Sequence, residues 1–168
     1  MNLAPLNRMS RADFTAALGA VFECSPWVAE AAFRAAPFAT IDELHAAMVA
    51  VARAAPAERQ LTLIRAHPDL AGKAARAGAM TASSVAEQAS AGLLSLSEEE
   101  FARFHRLNAA YRERFGFPFI IAVRRHTKKS LLMAFEERLS NSRKAEIDTA
   151  LSQIFDIARL RLETLLAE

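Results

Sequence analysis

One cysteine, Cys24, stands among 168 residues, so no internal disulfide can form. No Cys/His grouping has zinc-finger spacing either. Glycine is scarce, with five in the whole chain, and β-branched residues rarely cluster, so the composition leans away from sheet and towards helix. No apolar run approaches the roughly 18 residues needed to span a bilayer. Residues Met1 to Ser10 contain no apolar h-region of the secretory kind, and Leu165-Leu166-Ala167-Glu168 is not a peroxisomal tripeptide. Neither sign of charge prevails: 21 Lys and Arg face 19 Asp and Glu, for a formal charge of +2. Basic and acidic residues alternate, as in Arg112-Glu113-Arg114 and Glu136-Glu137-Arg138. That mixing disfavours nucleic acid as a partner, because nucleic-acid binding needs a concentrated basic face. These absences together imply a protein of a reducing cytoplasm with no nucleic acid and no membrane among its partners, and Cys24 as a buried or idle thiol.

What remains is a chain with 52% apolar and 24% charged residues, the balance of a globular fold. Its length fits a single domain over residues 1–168. Ser10 reads as a helix cap, with Phe14, Ala17, Leu18, Val21 and Phe22 following at helical spacing. Ser25-Pro26 restarts the chain ahead of Trp27 and Phe33. Thr40-Ile41-Asp42-Glu43 is a capping box, and Pro56 opens a helix that runs towards His67-Pro68. Ser97 and Thr127 cap two more, and a long last helix covers about Arg143 to Leu166. Phe117 to Val123 alone has strand-like chemistry, and it lacks a partner of similar character. The expectation is an all-α domain of about seven or eight helices with one extended connection, Phe-Gly-Phe-Pro-Phe-Ile-Ile-Ala-Val.

Three stretches hold polar groups that packing alone does not explain. His67 precedes a proline, which disfavours the α conformation and ends the helix there. A histidine fixed on so stiff a backbone suits proton transfer near neutral pH; equally, it suits a cap on the helix dipole. Ser84-Val85-Ala86-Glu87 reads as a capping box. Thr81 is an equally good cap, however, and a helix begun there puts Ser84, Glu87 and Gln88 on one face. That face offers a hydroxyl, a carboxylate and an amide, a set able to read a small polar ring. The third stretch, Phe115 to His126, joins extended backbone to Arg124 and Arg125. Extended backbone leaves N–H and C=O groups for a ligand, and a guanidinium at its end can hold a carboxylate through two parallel bonds. Solvation is the ordinary fate of such arginines. His45, His105 and His126 have no convergent partners, so no metal site is expected.

The words HPDLAGKAA (His67–Ala75), SVAEQASAGL (Ser84–Leu93) and NAAYRERFGFPFIIAVRRHTK (Asn108–Lys128), with AFEERLSN and IARLRL beyond them, resemble the family of 2-oxo-4-hydroxy-4-carboxy-5-ureidoimidazoline decarboxylases. The resemblance runs over nearly the whole chain. It implies an all-α homodimer with no metal or organic cofactor, which turns the ureidoimidazoline into S-allantoin and CO2. By motif position it makes His67 and Glu87 the catalytic pair. Pro68, Ser84, Gln88 and Arg124 fall at substrate-binding positions, and the backbone of Phe119, Ile120, Ile121 and Ala122 lines the pocket. Many relatives carry glycine where this chain has Arg125, so either guanidinium is a candidate for the pocket. The offset from FGFPF favours Arg124, with Arg125 exposed. A helical ligand-binding protein that kept the fold and lost the activity is the alternative.

Overall fold

Five hydroxyl side chains begin five helices by the same device. Ser10, Thr40, Thr81, Ser97 and Thr127 each accept the backbone N–H three residues on, at 3.2, 3.1, 3.3, 3.1 and 3.2 Å. Each bond satisfies one of the four amides that a helix leaves unpaired at its start. The computed structural model describes residues 2–72 and 78–167, and the chain is all-α. Its helices are α1 (Leu3–Leu6), α2 (Arg11–Leu18), α3 (Trp27–Ala32), α4 (Ile41–Ala54), α5 (Ala57–Arg65), α6 (Ala82–Ser90), α7 (Glu98–Phe115), α8 (Lys128–Arg138) and α9 (Arg143–Leu166). Two 3-10 turns, Phe33–Ala35 and Val123–Arg125, complete the order, with no strand among the described residues. Nor does any helix among them have the length and apolarity to cross a membrane.

The chain divides into two compact units, one of residues up to Ala66 together with those from Ile154 onward, the other His67–Gln153. In the first, α3 packs on α2 and α4, and the core is built from Leu6, Phe14, Leu44, Met48, Ile64 and Leu162. Asn7 ties its amide to both backbone groups of Phe38, at 2.8 and 2.7 Å. A buried ion pair joins Arg161 to Glu23 at 2.8 Å. Here α2 stops at Leu18, and Val21 and Phe22, expected on its stripe, are buried in the turn that follows. Gly19 caps α2 with right-handed helical dihedrals, φ −62° and ψ −20°, and a Cβ there would come within 2.6 Å of the Thr15 carbonyl. Ser25 does not cap α3; its hydroxyl donates to Glu23 O at 2.8 Å. Cys24 takes a left-handed φ of 46° and is exposed, so the buried-thiol alternative is corrected.

The second unit is organised around aromatic rings. Tyr111 meets Phe115, Phe117, Phe119 and Phe135 at centroid distances of 4.5, 5.9, 5.3 and 6.4 Å. Phe119 and Phe135 stack at 3.7 Å. Each buried ring removes enough apolar surface to contribute about 1.5–3 kcal/mol. This cluster seats the extended segment, because Phe117 and Phe119 belong to it while the chain between α7 and the second 3-10 turn forms no helix.

Candidate active site

All the residues singled out from sequence lie in the second unit. His67 follows the last turn of α5 and is 7% exposed. Beyond Pro68 the chain makes a turn in which Ala71 takes a φ of 51°, a left-handed conformation that costs a side-chain-bearing residue about 1–3 kcal/mol unless its surroundings enforce it. They do. Gln88 accepts the Ala71 N–H at 2.9 Å and donates to the Asp69 carbonyl at 3.1 Å and to Met80 Sδ at 3.2 Å. Asn108 donates to the Leu70 carbonyl at 2.8 Å. Arg112 pairs with Asp69 at 3.1 Å. The end of the first sequence word, Lys73 to Ala75, lies outside the described residues.

Which residue starts the second word's helix is settled by Thr81, whose Oγ1 caps the Ser84 amide. Ser84 and Gln88 are then buried on one face of α6, with Glu87 partly exposed beside them. Gln88, expected to bind substrate, has its N–H groups directed to the turn and to Met80. Ser84 Oγ belongs to a residue only 3% exposed.

α6 packs in turn against Val123–Arg125. Arg124 and Arg125 are both exposed. Phe119, Ile120, Ile121 and Ala122 are all buried. Arg138 Nη1 donates to the Ile120 carbonyl at 2.6 Å, and Gln153 Oε1 accepts the Ala122 N–H at 2.9 Å. Behind them Glu146, with 0% exposure, accepts from Arg138 Nε at 2.8 Å, the Tyr111 hydroxyl at 2.5 Å and Asn141 at 3.1 Å. Burial, then the Glu146 carboxylate, pushes the Tyr111 phenol above its ordinary range. His126 is held below the usual histidine range, first by burial and then by the Arg125 charge.

Sequence reading missed Asn108, Tyr111, Arg138, Glu146 and Gln153 as parts of this site. Asn108 and Tyr111 lie within a recognised word, but nothing local distinguishes them from surface or core positions. The signal that was there is a polar residue on an apolar helical face. Glu146 and Ala150 are both fully buried at the spacing of one helical turn. Among the described residues no three His, Cys, Asp or Glu side chains gather as metal ligands. A groove of about 320 Å³ in the first unit, lined by Trp27, Arg34 and Arg59, contains none of the residues singled out.

The histidine turn, the polar face of α6 and the unwound backbone before the second 3-10 turn all belong to one compact unit of an all-helical protein. The OHCU decarboxylase family model matches residues 7–163, and the chain belongs to that family. It is 45% identical to the 2-oxo-4-hydroxy-4-carboxy-5-ureidoimidazoline decarboxylase of Haloferax volcanii, over 96% of this chain and 94% of that protein. To the protein of the same description from Halalkalicoccus jeotgali it is 42% identical, over 98% and 92%. A solved structure described as (S)-allantoin synthase superposes with a TM-score of 0.79 at 34% identity, covering 99% of this chain and 54% of that one.

Proposed function

We propose that this protein decarboxylates 2-oxo-4-hydroxy-4-carboxy-5-ureidoimidazoline to S-allantoin and CO2 in urate breakdown. One observation carries the reading: three segments distant in sequence are joined in space. Gln88 bonds the His67–Gly72 turn to α6, and α6 packs on the 3-10 turn that ends the extended segment. The substrate carries its carboxylate on a carbon next to a C=N bond. When CO2 leaves, the electron pair of the broken C–C bond becomes the new C=C bond and the C=N nitrogen takes up the displaced pair with a proton. The hydroxyl then becomes the ring carbonyl, and the carbon bearing the ureido group receives a proton. The substrate thus supplies its own electron sink, which is why the proposal includes no cofactor.

His67 and Glu87 are assigned the proton leaving the hydroxyl and the proton delivered to one face of the ring. Ser84 and the extended backbone fix the ring, with Pro68 and Gln88 shaping the wall beside them, and Arg124 takes a carboxylate or carbonyl oxygen. Homodimerisation and a cytoplasmic setting belong to the same proposal, supported by the family resemblance and, for the compartment, by the lone cysteine. Light scattering on the purified chain tests the dimer.

The enzyme assay is circular dichroism of the product while urate oxidase and hydroxyisourate hydrolase generate the substrate in the cuvette. The S-allantoin signal is expected to rise quickly and persist with this protein, and not with His67→Ala, whose far-ultraviolet spectrum should stay helical. A trace identical to spontaneous decay would put the ligand-binding alternative in its place.

A further inference from the structure

The extended segment is gripped along one edge. In an extended chain the N–H and C=O of alternate residues point the same way, and their neighbours point the other way. Arg138 takes the carbonyl of Ile120 and Gln153 takes the N–H of Ala122, so these two residues define the gripped edge. By that alternation Phe119 and Ile121 fall on the opposite edge. Their backbone N–H and C=O groups form no hydrogen bond among the described residues, although the two residues are only 1% and 5% exposed. Backbone polar groups in so buried a place are nearly always paired. A ligand with its own alternating N–H and C=O groups supplies the missing partners, as an added strand does on a sheet edge.

The grip is rigid. Arg138 is only 9% exposed and lies over the Phe119 ring at 4.3 Å, a ring that also stacks on Phe135. Its guanidinium is further oriented by Glu146, which is itself fixed by Tyr111 and Asn141.

We propose that Arg138 and Gln153 are positioning residues that turn the backbone of Phe119 and Ile121, and not that of Ile120 and Ala122, towards the ureido and ring amides of the substrate. The proposal rests on the decarboxylase reading of the site. It divides the four residues of the expected backbone wall into two that meet the ligand and two that are held from behind.

Gln153 gives the cleaner test because it is half-buried, whereas Arg138 variants disturb a buried charge. Gln153→Met keeps the side-chain length and loses the acceptor; Gln153→Glu keeps an acceptor for Ala122. Losing hydrogen bonds made equally to substrate and transition state raises KM and leaves kcat in place. Gln153→Met is therefore expected to raise KM about tenfold, the equivalent of one misplaced hydrogen bond, with kcat close to wild type and the melting temperature lowered by a few degrees, because the buried Ala122 N–H loses its acceptor. Gln153→Glu should restore most of the KM, and amide exchange at Ala122 should quicken only in Gln153→Met. An unchanged KM in Gln153→Met, or equal impairment in both variants, overturns the positioning role while wild-type activity stands. A wild-type chain that forms no S-allantoin overturns the functional reading, and this inference with it.

Discussion

Gln88 Oε1 accepts the N–H of Ala71, a residue held at a φ of 51°, across 2.9 Å of the protein interior. The bond, with its return partner at the Asp69 carbonyl, keeps the turn after His67 in a conformation that an alanine would leave if released. Gln88→Met fills similar volume and leaves both backbone groups unpaired. It is expected to destabilise the fold by about 1–3 kcal/mol in urea titrations. Turnover should fall well beyond that, because the His67 backbone loses its anchor.

Glu146 is expected to be the most sensitive position in the second unit. Removing one member of a buried ion pair costs about 3–5 kcal/mol, since the partner charge stays buried. Glu146→Ala strands Arg138 in this way and should unfold at markedly lower urea concentration. Tyr111→Phe removes a single bond to a charged acceptor and should cost about 1.5–3 kcal/mol. The two losses should not add in the double variant.

Tyr111 is the one tyrosine of the chain, so its ionisation can be followed by absorbance. Its pKa is raised by burial and by Glu146. The folded state therefore keeps the phenol proton that the unfolded chain releases near pH 10. Stability from this group is full below that pH and declines above it. Tyrosinate absorbance should appear only as the protein unfolds in alkali, and a titration at the ordinary phenol pKa in folded protein would contradict the buried Tyr111–Glu146 bond.

His126 should behave in the opposite pH range. Its folded pKa is lowered by burial and by Arg125, so the unfolded chain binds the proton more readily, and stability declines as pH falls below about 6.5. Arg125→Ala removes the second cause and leaves the first. Imidazole NMR is expected to show the His126 pKa moving up in that variant, and no movement would mean that Arg125 points elsewhere.

Two glycines separate strain from site geometry. Gly116 ends α7 at φ 79° with no atom within 4 Å of a built Cβ, so Gly116→Ala should cost about 1–2 kcal/mol of conformational strain and spare KM. At Gly72 a Cβ would stand 2.9 Å from Asp69 Cβ. Gly72→Ala must shift the turn beyond His67, and its larger effect should be on kcat/KM.

The helices were legible because their signals are local. Ser10, Thr40, Thr81, Ser97 and Thr127 each lie within a turn of the amide they cap, and Gly116 follows the last residue of α7. The choice between Thr81 and Ser84 as the cap of α6 was open in sequence, since both have the right chemistry, and only the fold decides it. His67, Ser84, Glu87 and the unwound Phe119–Ala122 stretch could be picked out because each breaks a local pattern. The framework behind them could not. Tyr111 and Glu146 are 35 residues apart, Asn108 and Leu70 are 38 apart, and Gln153 and Ala122 are 31 apart. At Glu146 the one local clue, its place on the face shared with Ala150, does not name the distant groups that it anchors. The early end of α2 was hidden likewise, because Val21 and Phe22 keep helical spacing although the helix ends at Leu18.

The Arg138–Glu146 pair also constrains how such a chain can drift over generations. Each partner alone is costly to lose, whereas exchanging both for apolar residues of similar volume is often neutral or better for stability. Stability by itself therefore offers a way out only through two simultaneous changes, a route that point mutation seldom takes. A lineage that did take it would keep its fold and release the Ile120 carbonyl, so sequences in which Arg138 and Glu146 have vanished together are the ones to examine for altered substrate preference.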